Sequence, residues 1–304
     1  KGQVPLVISA FNAKSLKNKQ AALKHAMDTR KIDICVINEV NSAVPPKIRG
    51  YTWFQARDDR LFRGTVIYVS SKWAPLITKI PDTTEEMDME MIHLRVNCLP
   101  TLNIIGAYLD TAPTAAHATL VQTRLEEKME SITQRGEDCL LIGDINRPMN
   151  KPTELQKTRL MTKWIETGEV QLLNDPNIHT RIDPVTGRGS TLDLGIINPS
   201  LRTKVVHFEV DTERKWSLHG TITSKSTGRI QIGKWSDHKG IECKLKVTIL
   251  AATKAGNSPV INYGAEGGWV RYHTISNRRA PDVVKLIDTH NDVNLRQNAL
   301  NLLK

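Results

Sequence analysis

The most constraining feature of this chain is a series of short apolar runs that each stop at a polar residue. Runs rich in branched aliphatic residues end at Asn12, at Glu39 and at Asp144, the last followed closely by Asn146. Such runs are typical of buried strands. Three different strands therefore each deliver a carboxylate or an amide at their carboxyl end.

Two further polar clusters belong to the same series. Asp193 lies within the apolar run 192–197, and Asp237 with His238 directly precedes the alternating run 240–250. If the sheets bring all these strand ends together, the site combines several acids, two amides and one imidazole. That set can bind a hard divalent cation through oxygen, orient a water, and move protons to or from phosphate oxygens.

Length and composition bound the domain organisation. The chain has 304 residues, and sheet-rich enzymes of about 200 to 250 residues often form one unit. We expect one main domain over residues 1–250 and a tail over 251–304. The tail begins as a small, polar linker and continues into two predicted helices around 269–275 and 281–294.

The chain shows no sign of a membrane or secreted protein. No apolar stretch approaches the roughly 18 to 20 residues of a membrane span, and the basic start leads into a strand pattern without a cleavage-like signal. The four cysteines lie in or beside apolar runs without metal-ligand spacing. We therefore expect a soluble, intracellular protein with reduced core cysteines and no membrane partner.

The net charge of +10 favours a polyanionic partner such as nucleic acid. A solvated basic surface is the plain alternative. Charge alone leaves DNA, RNA and acidic membranes open.

The hydrophobic pattern predicts many strands and few helices. Between the strands, helical patterns occur at 17–30, 115–134 and 153–167, the first with Leu23, Ala26 and Met27 on one stripe. The pattern indicates two packed sheets with helices outside. The predicted strands are 4–11, 33–39, 51–56, 64–70, 89–97, 102–109, 138–144, 190–197, 204–210 and 240–249.

Taken in order, the polar clusters resemble those of the endonuclease/exonuclease/phosphatase superfamily. The resemblance is closer to the apurinic-type endonuclease domain of non-LTR (LINE-type) retrotransposons and covers about residues 4–250. It is carried by NAKSLKNK after the first strand, KIDICVINE, GAYLD, GDIN, STLDL and SDH. The later segment INYGAEGGWVRY resembles the link from such endonucleases to a reverse transcriptase.

The resemblance implies a fold and an activity. The implied fold is an α/β, DNase-like, four-layer α/β/β/α sandwich of two mixed sheets flanked by helices, followed by a linker tail. The implied activity is Mg²⁺-dependent nicking of one strand of duplex DNA, with Mn²⁺ as a substitute ion. The 3′-hydroxyl would prime reverse transcription of element RNA in the nucleus, in a longer protein that carries a reverse transcriptase domain.

The resemblance also implies a metal site. Glu39 would be the principal Mg²⁺ ligand, with Asn12 in or near the coordination sphere. Asp237 would complete the metal site or hold His238.

Further roles transfer to the catalytic centre by the same resemblance. Asp144 and Asn146 would position the attacking water and the scissile phosphate, and Tyr108 would contact the phosphate through its hydroxyl. His238, oriented by Asp193, would carry a proton or donate to the transition state. Whether Asp144 or His238 takes the proton of the water stays open.

A turn-rich stretch over 180–190 predicts a hairpin tip, which in the resembled endonucleases enters the DNA minor groove. Thr180 and Ser190 would contact the phosphate backbone, and Arg181 and Arg188 would read groove width and charge. The plain alternative is an exposed hairpin with solubilising charges.

A second basic stretch, 211–234, is longer than a plain connection. We expect it to lie beside the cleft and bind backbone phosphates. Arg214 and Lys215 of this stretch, together with Ser236 of the SDH motif, are predicted DNA contacts.

Two other functions remain open from the residues alone. One is a repair-type apurinic endonuclease, or another phosphoesterase of the same fold. The other is a catalytically silent nucleic-acid-binding module.

Overall fold

Two six-stranded mixed sheets face each other in the computed structural model of this chain. The structure describes residues 2–56, 64–81, 89–110, 114–151, 155–213, 216, 221–223, 230–232 and 236–249.

The first sheet has β1 and β2 at its centre, and these two strands run parallel. All other neighbours in this sheet are antiparallel. β2 has the sequence ICVIN and is buried throughout, as expected for a central strand rich in β-branched residues. In spatial order the strands are β13 (Val205–Val210), β16 (Ile241–Ile249), β1 (Gly2–Asn12), β2 (Ile34–Asn38), β4 (Val66–Ser70) and β3 (Tyr51–Gln55).

The second sheet repeats this plan, with the parallel pair β7 and β8 at its centre. Its remaining neighbours are antiparallel. In spatial order the strands are β5 (Ile77–Ile80), β6 (Met89–Val96), β7 (Leu102–Leu109), β8 (Asp138–Asp144), β12 (Asp193–Ile197) and β9 (Gln171–Leu172).

Besides the two large sheets, the described residues form two short hairpins, three helices and two 3-10 turns. Two short hairpins are formed by β10 (Arg181–Ile182) with β11 (Gly189–Ser190) and by β14 (Thr221–Thr223) with β15 (Ile230–Ile232). The helices are α1 (Gln20–Thr29), α2 (Ala115–Gln134) and α3 (Gln156–Glu166), and 3-10 turns span Ala74–Leu76 and Pro199–Lys204.

Three apolar clusters hold the layers together. The central cluster fills the space between the sheets, with Ile8 and Val36 from the first sheet and Ile104 and Ile142 from the second. A second cluster joins the first sheet to α1. A third cluster joins the second sheet to α2 and α3. The described chain is thus a four-layer α/β/β/α sandwich, which confirms the predicted fold class.

The predicted elements agree with the structure in number and place, with two exceptions. All ten predicted strands and the three helices predicted between them are present, but the short strands β5, β9, β14 and β15 were not predicted. In the predicted helix 153–167, Leu155 directly precedes α3 and is exposed, and Leu160 is half-buried. The helix instead packs through Thr158, Met161 and Trp164.

Other expectations from the sequence can be placed in the same way. All four cysteines are buried and free, as predicted. Within the described residues, no helix is long and apolar enough to cross a bilayer. The predicted tail, 251–304, and both of its predicted helices lie outside the described residues.

Candidate active site

The polar clusters meet because parallel strands end at the same sheet edge. β1 and β2 pair from Ile8 with Ile34 to Asn12 with Asn38, and β7 and β8 pair up to Tyr108 with Asp144. The antiparallel neighbours β16 and β12 begin at this edge. His238 lies just before β16, and Asp193 is the first residue of β12.

Asn12 joins the two sheets at this edge. Its Nδ2 donates to Glu39 Oε1 at 3.0 Å and to Asp144 Oδ2 at 2.9 Å. Its Oδ1 accepts the backbone N–H of Lys14 at 3.1 Å. The fully buried amide therefore holds two carboxylates close together.

Asn38 makes a second bridge between the sheets, which the sequence did not predict. Its Oδ1 accepts the N–H of Asp144 at 3.0 Å, and its Nδ2 donates to the carbonyl of Ala107 at 3.2 Å and to Thr65 Oγ1 at 3.0 Å. The only available signal was its place directly before Glu39, at the end of a buried strand. The bridge fixes the backbone that carries Asp144.

Glu39 itself has a left-handed backbone, with φ of +51°. A non-glycine residue in this region costs about 1 kcal/mol or more and occurs often at functional sites. The conformation turns the half-buried Glu39 side chain towards Asn12.

His238 and Asp193 form a buried pair. His238 Nδ1 lies 2.9 Å from Asp193 Oδ2 and 3.1 Å from Asp193 Oδ1. The other ring nitrogen, Nε2, lies 3.9 Å from Asp144 Oδ2. Asp193 is itself held by Thr180, whose Oγ1 accepts the Asp193 N–H at 3.0 Å, and by Asn174, whose Nδ2 donates to the Asp193 carbonyl at 3.0 Å.

Burial and neighbouring charges shift the protonation of this group. Burial and the nearby Asp193 carboxylate raise the pKa of Asp144. Burial would lower the pKa of His238, but the charge and hydrogen bond of Asp193 outweigh it, so the pKa of His238 is raised. The site thus favours a protonated imidazole beside a carboxyl group that can take up a proton.

The end of β8 depends on a glycine within the strand. Gly143 has φ of +146°, and a Cβ at this position would lie 2.1 Å from the carbonyl oxygen of Ala107. Only glycine permits this close approach of β8 to β7 directly before Asp144.

Asn146 and Arg147 tie the segment after β8 to the end of β7. Asn146, with φ of +52°, donates from Nδ2 to the carbonyl of Leu109 at 2.7 Å. Buried Arg147 donates from Nη1 to the carbonyls of Asp110, Ile145 and Asn146. These bonds hold Asn146 against the last residue of β7, Leu109, which follows Tyr108 in the chain.

Asp237 lies at the same edge, and its carboxylate is close to two positively charged side chains. Lys14 Nζ is 2.6 Å from its Oδ1, and Arg181 Nε is 2.8 Å from its Oδ2. Burial would raise the pKa of Asp237, but Lys14 and Arg181 outweigh it and lower the pKa. Asp193 rather than Asp237 holds His238, so of the two predicted roles of Asp237 the second is wrong.

Two groups of residues could bind a divalent cation. Ligand atoms of Asp144, Asp193 and His238 lie within 4.8 Å of one another. However, the His238 imidazole in this group is hydrogen-bonded to Asp193, and this partner favours the protonated form of the ring. A protonated imidazole suits proton transfer better than metal binding. Glu39, with the amide of Asn12, offers the oxygen donors that Mg²⁺ or Mn²⁺ prefers. The residues present therefore fit a hard cation at Glu39.

The hairpin of β10 and β11 forms as predicted, and hydrogen bonds to Asp183 close its tip. The Asp183 carboxylate accepts the N–H groups of Val185 and Thr186 at 2.9 and 2.8 Å, and Gly187 has φ of +68°. Val185 is 90% exposed at this tip. Arg188 is also exposed.

The predicted DNA contacts of the hairpin differ in their placement. Thr180 is fully buried, and its hydroxyl accepts from the N–H groups of Leu192 and Asp193. The hydroxyl that was predicted to contact phosphate therefore supports the backbone at the start of β12 and does not face solvent. Ser190 is half-buried, and Arg181 is partly exposed next to Asp237.

The remaining predicted contacts lie near the second basic stretch. Ser236 is buried, and its hydroxyl donates to the carbonyl of Asn12 at 2.5 Å. Arg214 and Lys215 lie outside the described residues. Trp216, between these residues and Ser236 in the chain, is 1% exposed and stacks on Phe11.

Comparison with known proteins gives structural but not sequence matches. No protein-family model matches the chain, and no curated protein sequence matches it significantly. The structure is similar to the endonuclease domain of TRAS1, a telomere-specific non-LTR retrotransposon, with a TM-score of 0.54 and 18% identity, covering 80% of this chain and 99% of that one.

Two further solved structures are also similar to this chain. The Xenopus laevis APE2 catalytic domain has a TM-score of 0.59 and 16% identity, covering 82% of this chain and 94% of that one. The Leishmania major AP endonuclease LMAP has a TM-score of 0.59 and 12% identity, covering 80% and 88%. At these identities the comparisons establish the endonuclease/exonuclease/phosphatase fold.

Proposed function

We propose that this chain is a Mg²⁺-dependent endonuclease that nicks one strand of duplex DNA and leaves a 3′-hydroxyl and a 5′-phosphate. The observation that carries the proposal is the convergence of Glu39, Asn12, Asp144 and the Asp193–His238 pair at one sheet edge. Hydrolysis of phosphate esters is extremely slow without help, so a site for this reaction needs such a set of charged groups.

Each side chain has a part in the proposed reaction. Glu39, with Asn12, would hold the cation, which would supply positive charge to offset the charge that develops in the reaction. Asp144 accepts a proton from the attacking water, whose oxygen bonds to phosphorus while the bond from phosphorus to O3′ breaks. The departing O3′ takes up a proton from solvent. His238 donates from Nε2 to a phosphoryl oxygen and stabilises its developing charge.

The pKa directions support this division of roles. A carboxyl group is a better general base when its pKa is raised towards the working pH, as burial does for Asp144. A raised pKa keeps His238 positively charged, which suits a donor to a phosphoryl oxygen. Tyr108 and Asn146 lie at adjacent strand ends, where they would contact the same phosphate.

The biological substrate is proposed from the sequence motifs and from the likeness to the TRAS1 endonuclease domain. The nick would provide a 3′-hydroxyl for reverse transcription of the RNA of a non-LTR retrotransposon. The hairpin tip and the net charge of +10 support duplex DNA as the partner. Residues 251–304 would then lead to a reverse transcriptase, and the protein would act in the nucleus.

A repair-type apurinic endonuclease is the second candidate, favoured by the likeness to APE2 and LMAP. The two functions differ in substrate. Supercoiled plasmid, a duplex with one abasic site, poly(A) and inositol phosphates should each be incubated with the chain and Mg²⁺, with Asp144→Asn as the inactive control. The proposal expects nicking of intact plasmid, and a preference of a hundredfold or more for the abasic duplex would establish the alternative.

A further inference from the structure

The carboxylate of Asp237 is engaged on both of its oxygens. Lys14 Nζ lies 2.6 Å from Oδ1, and Arg181 Nε lies 2.8 Å from Oδ2. The Asp237 side chain is 5% exposed, whereas those of Lys14 and Arg181 are 42% and 34% exposed. A buried acid thus joins two cations that reach it from the rim of the site.

The two cations belong to separate parts of the site. Lys14 lies two residues after Asn12, and the next residue, Ser15, donates its N–H to the carbonyl of Glu39 at 2.7 Å. Arg181 lies in β10, where it forms an isolated bridge with His238. Asp237 therefore connects the loop beside Glu39 to the hairpin.

Backbone hydrogen bonds reinforce the connection on the hairpin side. The N–H of Ile182 donates to the carbonyl of Asp237 at 3.1 Å, and the N–H of Lys239 donates to the carbonyl of Thr180 at 2.6 Å. The hairpin is thus attached to the segment that carries His238. On the side of Lys14, the ion pair spans two segments that are far apart in sequence.

Electrostatics makes Asp237 a poor metal ligand in this arrangement. One negative charge already faces two positive charges at hydrogen-bond distance, so a divalent cation bound to the same carboxylate would be repelled by both. Glu39 has a different environment, because its Oε1 accepts a hydrogen bond from the neutral side-chain amide of Asn12.

We infer that Lys14 is a positioning residue that, with Arg181, takes Asp237 out of the metal's ligand set and fixes the hairpin against the catalytic edge. The inference rests on the proposed function for the identity of the metal site. It changes the predicted role of Asp237 from metal ligand to the centre of an ion-pair clamp, which we define as Lys14, Asp237 and Arg181.

Metal affinity tests the first part without any nuclease assay. Mn²⁺ binding to the full chain, without DNA, should be followed by electron paramagnetic resonance of the free ion. Asp237→Asn should bind Mn²⁺ within twofold of the wild-type affinity, whereas Glu39→Gln should bind at least tenfold more weakly. A tenfold or greater loss in Asp237→Asn would overturn the inference.

Limited proteolysis tests the second part. Arg188 is exposed in the hairpin, so the rate of tryptic cleavage after it, mapped by mass spectrometry, reports how firmly the hairpin is held. Lys14→Met and Asp237→Asn should each raise this rate at least threefold, and Lys14→Arg should restore the wild-type rate. Unchanged cleavage in both loosened variants would refute the clamp.

The matched control is Lys24→Met, which removes an exposed lysine that pairs with Asp28 in α1. It should leave both the Mn²⁺ affinity and the cleavage after Arg188 unchanged. If the chain fails to nick any DNA while these results hold, the proposed function is wrong and the clamp stands. If nicking occurs but Asp237→Asn loses Mn²⁺, only the clamp fails.

Discussion

His238 Nδ1 lies 2.9 Å from Oδ2 of Asp193, and 45 residues separate the two in sequence. Both side chains are buried, and the imidazole presents its other nitrogen towards Asp144. The pair fixes the orientation of the ring and favours its charged form. This one relationship turns a collection of polar residues into a site that can move protons.

Removing the charge of Asp193 should therefore disable catalysis without loss of DNA binding. In Asp193→Asn, the ring of His238 loses the partner that favours its protonation, and we expect nicking to fall about 100-fold or more. His238→Gln should fall by a similar factor, and the double variant little further, because the two residues act as a unit. Plasmid nicking rates and the affinity for a catalytically inert duplex measure the two effects. Independent, multiplicative losses would contradict the pairing.

Asp144 should reduce the stability of the fold at high pH. Its folded-state pKa is raised above the ordinary value of 3.8, so its stabilising contribution is present below that value and is lost as pH rises through the folded pKa. Asp144→Asn keeps the shape of the side chain but cannot ionise, so the variant does not lose this stability as pH rises. In EDTA, the Tm of Asp144→Asn should exceed that of the wild type by more at pH 8 than at pH 4. An equal difference at both pH values would show that the carboxyl is not perturbed.

Gly143→Ala should prevent correct folding of the edge that carries Asp144. The added Cβ would meet the carbonyl of Ala107 at 2.1 Å, and the backbone φ of +146° disfavours any side chain. We expect a loss of at least about 3 kcal/mol in unfolding free energy, measured by urea denaturation. Gly136→Ala is the matched control, since Gly136 has φ of +68° with open space around its Cβ position. It should cost only about 1 kcal/mol, and equal losses would refute the steric argument.

The hairpin should contribute to DNA affinity through charge. Arg188→Ala removes an exposed cation beside the tip, so the slope of log affinity against log salt should fall by about 1. Arg202→Ala removes a comparably exposed arginine on the Pro199–Lys204 turn and serves as the control. Equal effects of both variants would mean that binding is spread over the whole basic surface.

Much of the fold could be predicted from sequence because the strands alternate with strong turn signals and end in polar residues. The strand ends at Asn12, Glu39 and Asp144 lie in one place because parallel neighbours end at the same edge. β9 was missed because a pair of residues carries too little periodic signal. Leu160 of α3 is only half-buried, which shows that an apolar residue at helical spacing does not fix which face is buried.

The sequence predicts which residues belong to the site better than it predicts the role of each residue. Sequence order cannot tell that Thr180 points inward to hold Asp193 rather than outward to DNA. Nor can it show that Asp237 faces Lys14 and Arg181, because those contacts depend on the path of two loops. The bridge made by Asn38 could not be predicted either, because Ala107 and Asp144, which it contacts, belong to the other sheet.

The central claim is that the edge holding Glu39, Asp144 and His238 hydrolyses a DNA phosphodiester to a 3′-hydroxyl and a 5′-phosphate. The most direct measurement is the conversion of supercoiled plasmid to nicked circles in Mg²⁺, followed by treatment with DNA ligase. The account predicts nicks that ligase reseals, and no nicking by Asp144→Asn or in EDTA. Intact plasmid after prolonged incubation, or nicks that ligase cannot reseal, would contradict it.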